Sequence, residues 1–239
     1  MKRALTALTV LLAAAGTAQA DTTIDQLNLL NQQEFRQLSE DMTAAGSYKG
    51  VIPATPLVIT GFDIGVEVTG TKLAHKDAWE LATSGTVPDT VYVPKLHLHK
   101  GLPLGFDVGA FYSSVPSSNI KLWGAEVRYA ILGGGVAQPA LGLRATYSKV
   151  TGVDELDFHT TGLELLISKG LTIFTPYAGV GEVWTTSEPV GIPTIQKEEF
   201  TSGKYFIGGD INFALLNFAL EADKTGGTTS YSAKLGFRF

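Results

Sequence analysis

The stretch Gly61-Phe62-Asp63-Ile64-Gly65-Val66-Glu67-Val68-Thr69 divides its side chains between two media. Along an extended chain, Phe62, Ile64, Val66 and Val68 fall on one side, and Gly61, Asp63, Gly65, Glu67 and Thr69 on the other. Successive strand residues point to opposite faces, so this period of two describes a strand with one oily face and one polar face. The same split recurs down the chain and predicts further strands over 91–99, 103–114, 120–132, 139–150, 157–169, 172–186, 200–212, 216–224 and 229–239. Together they make ten, and single-chain bacterial membrane barrels have an even number of strands.

The connections alternate in length, which is a second regularity. A long loop from Gly70 to Thr90 is followed by a tight turn at Lys100-Gly101-Leu102, a medium loop from Val115 to Ser118 and a turn at Gly133-Gly134-Gly135. Loop 151–156, a turn at Gly170, loop 187–199, a turn at Ala214-Leu215 and a short loop at Gly226-Gly227 complete the series. Outer-membrane barrels carry short turns on the periplasmic side and longer loops outside. The N-terminus is therefore expected in the periplasm, and ten strands return the C-terminus there as well.

Counting across the turns predicts facing. Pairing across Gly101 sets Leu98 against Leu104, Leu96 against Phe106 and Lys95 against Asp107, and the fifth and sixth strands bring Arg144 opposite Glu164. Pairing across Gly170 puts Tyr177 outside, opposite Leu163, and Glu182 inside. Tyr92, Tyr112, Trp123, Tyr129, Tyr147, Tyr205, Phe213, Tyr231 and Phe239 sit near the ends of the oily faces, where amphipathic rings form the girdles of a membrane barrel. A soluble sandwich or a lipocalin-like barrel alternates too, but keeps its apolar face inward and its charges outward.

The first twenty residues have the three parts of a secretory signal: Lys2 and Arg3, an apolar run from Ala4 to Ala15, and the small-residue site Ala18-Gln19-Ala20. The run is shorter than the roughly 20 residues a spanning helix needs. Residues 1–20 are read as a removable signal, 21–50 as an amphipathic helix and connector, and 51–239 as the barrel. In the second part, Ile24, Leu27, Leu30, Phe35, Leu38 and Met42 recur near helical spacing, from Thr22 to about Ala45. Gly46, Gly50 and Pro53 end the helix and begin the connector. The chain has no cysteine, which excludes both a disulfide framework and an acylated lipoprotein anchor. Removing Lys2 and Arg3 takes the formal net charge from −5 to about −7, which argues against a nucleic-acid partner.

The last strand, Tyr231-Ser232-Ala233-Lys234-Leu235-Gly236-Phe237-Arg238-Phe239, ends in a C-terminal Phe with aromatic or apolar residues at alternate positions. It is similar to the terminal β-signal of bacterial outer-membrane proteins. That resemblance implies an assembly role for Tyr231, Leu235, Phe237 and Phe239, with the barrel-assembly machinery as a transient partner. Pro56-Leu57-Val58-Ile59-Thr60-Gly61-Phe62-Asp63-Ile64-Gly65, Lys100-Gly101-Leu102-Pro103 and Thr175-Pro176-Tyr177-Ala178-Gly179-Val180-Gly181 also resemble an uncharacterised family of proteobacterial outer-membrane proteins. That family implies a fold and a location, with outer-membrane lipid and lipopolysaccharide as surroundings, but no activity.

The polar face is expected to line the lumen with Asp63, Glu67, Lys95, His97, Asp107, Glu126, Arg128, Arg144, Glu164, Glu182, Lys204, Asp210, Glu221 and Lys234, together with His99, Asp223 and Arg238. Ten strands about 4.8 Å apart and tilted about 40° enclose a tube roughly 20 Å wide, so side chains from both walls leave little bore. Two readings follow. In the first the chain is a small channel whose charged lumen selects a small solute. In the second it is a non-transporting structural or surface-binding barrel with a plugged lumen. Inward glycines such as Gly65, Gly109, Gly142 and Gly208 either relieve crowding or make room for the N-terminal helix or a slender ligand, and crowding is the preferred account.

No cofactor or metal is expected. His97 and His99 have a chelating spacing but no third ligand of defined position. Asp157 and His159 share a face near the outer rim, where an Asp-His pair is able to activate water. A solvated rim pair is the preferred account, and the chain is read as a non-enzyme. The long first loop contains His75-Lys76-Asp77-Ala78-Trp79-Glu80-Leu81, a candidate helical turn that caps the barrel mouth or meets a surface partner.

Overall fold

The computed structural model describes residues 23–83, 85–135 and 137–239. The putting-together of signal and cleavage site over residues 1–20 lies outside the described residues. Ten antiparallel strands close into one barrel in which each pairs with its sequence neighbour: β1 (Phe62–Lys72), β2 (Thr90–Gly101), β3 (Phe106–Ser114), β4 (Lys121–Gly133), β5 (Ala140–Thr151), β6 (Leu156–Ser168), β7 (Phe174–Pro189), β8 (Glu198–Phe213), β9 (Leu216–Thr225) and β10 (Thr228–Arg238). The predicted all-β, ten-stranded up-and-down architecture with a preceding helix is therefore the observed one. β10 closes on β1 from Asp63 opposite Arg238 to Lys72 opposite Thr229. Phe62 and Phe239 extend that seam with reciprocal backbone bonds of 2.8 and 3.0 Å and rings 5.5 Å apart.

The outside of the barrel is oily. Ile64, Leu96, Leu98, Val127, Leu163, Leu165, Val180, Ile207 and Leu220 are all exposed, and the girdle aromatics stand around them. A contiguous belt of this kind is costly in water and favourable against hydrocarbon, so the exterior is that of a bilayer-spanning barrel. The long connections, including β1–β2 with its helix, lie at one end. The short turns and both ends of the barrel wall lie at the other.

Two details of the wall differ from the turn counting. β2 and β3 pair with Leu96 opposite Tyr112, Leu98 opposite Ala110 and Gly101 opposite Asp107. The connection is longer than a tight hairpin turn: Pro103–Gly105 forms a 3₁₀ turn in which Leu104 (φ 63°) and Gly105 (φ 79°) take left-handed conformations. The offset is an even number of residues, so the facing of both strands survives. In β7 the parity itself is reversed. Tyr177 points inward and is buried, while Glu182, opposite Leu163, points outward and is exposed.

The N-terminal part is a 3₁₀ turn, Leu27–Leu29, followed by helix α1, Gln32–Gly46, rather than one helix from residue 22. Asn31 starts α1 with a capping box: its side chain accepts from Glu34 N at 3.0 Å, and Glu34 Oε2 accepts from Asn31 N at 2.8 Å. The candidate helical turn of the first loop is helix α2, Lys76–Thr83.

Candidate functional site: a lumen filled by the N-terminal segment

Helix α1 lies inside the barrel, against β1, β5, β7, β9 and β10. Every residue from Asp41 to Ala54 is buried. The segment enters at the long-loop end, where Ile24 N donates to Asn119 Oδ1 (3.1 Å) and Asn119 Nδ2 donates to Ile24 O (2.8 Å). It leaves at the short-turn end, where Leu57 N donates to Asp107 Oδ1 at 3.0 Å. The first described residues thus sit at the long-loop mouth, opposite to the end expected from the sequence.

The two halves of the lumen are different environments. Towards the long loops the inward wall residues are Val91, Val93, Leu122, Val150 and Phe158, and they pack on Phe35, Leu38 and Met42 of α1 and on Trp79 of α2. Each large apolar side chain so buried contributes about 1.5–3 kcal/mol. The hydroxyls of α1 face β7: Ser39 Oγ lies 2.8 Å from Ser187 Oγ, and Thr43 Oγ1 lies 2.8 Å from Thr185 Oγ1. Asp41 ties α1 to the mouth by accepting from Ala74 N (3.1 Å), His75 N (2.9 Å) and Thr228 Oγ1 (3.0 Å). Trp79 is buried as part of the cap, and α2 is braced on the surface by Lys76, which donates to Asp89 at 2.8 Å and holds that carboxyl below its ordinary range.

Below α1 the chain runs without regular secondary structure through a charged collar, with Val51 at φ 47°, and its backbone carbonyls take up wall donors. Gly46 O accepts from Ser148 Oγ (2.8 Å), Tyr48 O from Lys204 Nζ (2.6 Å) and Pro53 O from Arg128 Nη1 (2.6 Å). Lys49 is the buried cation that the segment brings to the collar: its Nζ donates to Ala44 O (2.7 Å) and to Asp223 Oδ1 (2.9 Å), and it is fully buried. Buried charge is costly unless it is paired and hydrogen-bonded, and most of the wall is arranged accordingly, with the exception of Glu221, whose two carboxyl oxygens have no hydrogen-bond partner among the described residues. Glu67 pairs with Lys95 (2.8 Å) and lies 2.6 Å from the His97 ring nitrogen Nε2, Asp107 pairs with Arg128 (2.7 Å), and Asp63 with Lys234 (3.0 Å). Glu164 accepts from Arg144 Nε (2.6 Å) and Lys204 Nζ (2.8 Å), and Asp210 pairs with Arg238 (2.8 Å).

Of the titratable residues assigned to the lumen from the sequence, all but Glu182 point inward, and these are buried, Glu126 and Glu221 among them, save Arg238, which is partly exposed. His99 joins them, between Asp63 (3.8 Å) and Glu126 (3.6 Å). Asp157 and His159 lie on the outward face at the long-loop rim, 3.8 Å apart, where Lys149 also pairs with Asp157 at 3.0 Å. Tyr231, Phe237 and Phe239 are exposed on the outer face of the closing strand, with Leu235 partly covered.

Sequence reasoning missed the segment residues themselves, Ser39, Asp41, Thr43, Tyr48 and Lys49, and missed Tyr177. In the run Gly46-Ser47-Tyr48-Lys49-Gly50-Val51-Ile52-Pro53-Ala54 the available signal was the pair of glycines, which suit a narrow path through a tube. Gly50 shows how tight the path is: a Cβ there would sit 2.1 Å from Arg144 Nη1. Wall glycines relieve crowding among the wall's own rings. Gly109 and Gly208 leave room for the rings of His99 and Tyr177, whereas a Cβ at Gly142 would meet Ala54 of the threaded segment only at ordinary contact distance.

No protein-family model matches the chain, and no curated protein matches it. Among solved structures, the N-terminal β-barrel domain of Pseudomonas aeruginosa OprF aligns over 73% of this chain and 97% of its own at 13% identity and a TM-score of 0.37. The outer membrane protein OprG of Pseudomonas aeruginosa aligns over 79% and 99% at 12% identity and a TM-score of 0.34. The KdgM porin aligns over 74% and 99% at 8% identity and a TM-score of 0.38. These likenesses concern barrel shape alone and assign no activity to this chain.

Proposed function

We propose that the protein is an outer-membrane barrel held shut by its own N-terminal segment, working as a non-transporting, surface-presenting barrel rather than as an open pore. The observation that carries this reading is the unbroken burial of residues 41–54 inside the lumen. The wall cations that would have selected a solute in a channel are used instead on the carbonyls of Tyr48 and Pro53. With the short turns towards the periplasm, the long-loop mouth faces outward and presents α2, the loop 190–197 and the start of the N-terminal segment as one surface. The exposed aromatics of β10 suit recognition by the assembly machinery, and the oily belt suits outer-membrane lipid.

A non-enzymatic role is supported by the rim pair Asp157 and His159, whose carboxylate is already engaged by Lys149. The test is single-channel recording of the refolded protein in planar bilayers. The full mature chain should give no discrete steps, and a chain lacking residues 21–50 should conduct. Steady conductance from the full chain would restore the channel reading and its small solute.

A further inference from the structure

The long-loop rim of the barrel has two unlike sectors. Around β5 to β8 its charges neutralise one another: Lys149 pairs with Asp157 (3.0 Å) and Lys197 with Glu199 (2.6 Å). On β1, β10 and β9 the outward rim residues are Lys72, Thr229 and Lys224, with no acid among them. Among the described residues neither of these lysines makes a side-chain hydrogen bond or ion pair, whereas Lys49, Lys95, Lys204 and Lys234 in the lumen all meet carboxylates. Asp89, which feels the charge of Lys72, is already held by Lys76 at 2.8 Å.

Strand register fixes the spacing of the pair. Lys72 lies opposite Thr229 on one side of β10, and Lys224 lies opposite it on the other. Their Cα atoms are therefore two strand spacings apart, about 10 Å. Each lysine carries three donors on a flexible four-carbon stem, so both ammonium groups reach a ligand seated over Thr229. The next outward row, one step closer to the belt, is Tyr92, Gly70, Tyr231 and Ala222. Tyr92 lies across Gly70, where a Cβ would stand 3.0 Å from its Cε1, while Tyr231 and Tyr205, the residue opposite Lys224, are more than half exposed. Such rings mark the level at which hydrocarbon gives way to headgroups. The lysine row thus stands at headgroup depth, with the oily belt directly below it.

We propose that Lys72, Thr229 and Lys224 hold the phosphate of a glycolipid in the leaflet nearest the long loops, with its acyl chains laid on the belt beside Tyr231. Assigning that leaflet to the cell surface rests on the orientation given under the proposed function. Charge chooses the head. A phosphate monoester carries about two negative charges and three strong acceptor oxygens, which answers two unpaired ammonium groups and the hydroxyl between them, where a carboxylate would answer one. Depth chooses the tail: a lipid delivers its phosphate at the level of the lysines and covers the apolar wall beneath, which a water-soluble anion does not.

The test follows retention of diphosphoryl lipid A by the refolded mature barrel in detergent, using native mass spectrometry, with the dephosphorylated lipid as the comparison. Detergent solution has no sides, so the result is independent of which end of the barrel faces outward. The phosphorylated lipid should be retained and the dephosphorylated one lost. A lysine near an anionic surface is worth about fivefold in binding, so the Lys72→Gln, Lys224→Gln double variant should lower retention roughly 30-fold. The corresponding double arginine variant should bind within a few-fold of the parent. Lys121→Gln is the control: that rim lysine also lacks a side-chain partner, but it lies between Ser114 and Thr151 with no second lysine beside it, and its loss should change little. Every variant should keep its folded mobility on gels. Equal retention of the dephosphorylated lipid, a double glutamine variant that binds like the parent, or an equal loss in Lys121→Gln would overturn the proposal. Complete displacement of the lipid by millimolar inorganic phosphate would overturn it too, by showing a site for the free anion.

Discussion

If the N-terminal segment is held by its own buried cation, Lys49→Met should release it while the wall stays closed. Lys49 Nζ makes contacts of 2.7 Å to Ala44 O and 2.9 Å to Asp223 Oδ1, and both side chains of the ion pair are fully buried. Removing one partner of a buried pair leaves the other charge uncompensated and costs about 3–5 kcal/mol. Asp223 keeps a hydrogen bond from Thr225 Oγ1 (3.1 Å), which does not neutralise it. If the cost falls on opening of the segment, the open population rises by a factor of about 150 to 5,000. The chain has no native cysteine, so one introduced at the buried Ala45 reports the open state through its maleimide labelling rate. That rate follows the open population when reclosing is fast. The companion Lys49→Met, Asp223→Leu double variant replaces both charges with apolar groups, which is near neutral for a buried pair, and its labelling should return to within about tenfold of the parent. Unchanged labelling in Lys49→Met, or a double variant that opens as far as both single effects combined, would refute the reasoning.

Four further outcomes follow from the same packing. Gly50→Ala puts a Cβ 2.1 Å from Arg144 Nη1 and should push the guanidinium off Glu164, lowering the thermal transition followed by heat-modifiable gel migration by the equivalent of about 1–3 kcal/mol. Asp107→Ala takes the acceptor from Arg128 and from Leu57 N and should cost about 3–5 kcal/mol in urea unfolding from lipid vesicles. Glu182→Leu removes an outward carboxylate that has no partner among the described residues, and should raise stability in the same assay by about 1–2 kcal/mol. An epitope inserted before Thr23 should be bound by antibody on intact cells, because Ile24 is fixed to Asn119 at the long-loop mouth. Binding only after the outer membrane is permeabilised would reverse that placement.

The wall was legible in the sequence because two media enforce the same period. Oil outside and paired charge inside both require alternation, so the pattern appears whichever face is read. Arg144 opposite Glu164 followed directly and is observed. Legibility failed where side chains stop discriminating. In Tyr177-Ala178-Gly179-Val180-Gly181 small residues occupy both faces, and Gly179 faces inward to receive the ring of Phe206, 2.1 Å from where a Cβ would stand. With no oily side visible there, the parity of β7 was set by turn counting, and Tyr177 and Glu182 were exchanged between faces. The β2–β3 register failed for a different reason: turn length is decided by the left-handed conformations of Leu104 and Gly105, which a Pro-Leu-Gly sequence permits but does not announce.

The helix was legible and its location was not, because an apolar stripe is equally satisfied on a membrane surface or inside a barrel. The missing information lay in the strands. Val91, Val93, Leu122, Val150 and Phe158 all fall on the face assigned to a polar lumen, and all lie near the long-loop ends of their strands. Water in that half of the tube would leave those side chains unsatisfied, so they require an apolar occupant of helical width, about 10–12 Å, and α1 is the element of the chain with a matching stripe. The lower half makes the complementary demand: Lys204 and Arg128 need acceptors beyond their carboxylates, and a non-helical backbone with free carbonyls supplies them. An oily collar above a basic one therefore specifies a helix followed by non-helical chain with free carbonyls, in the order in which residues 32–56 provide them.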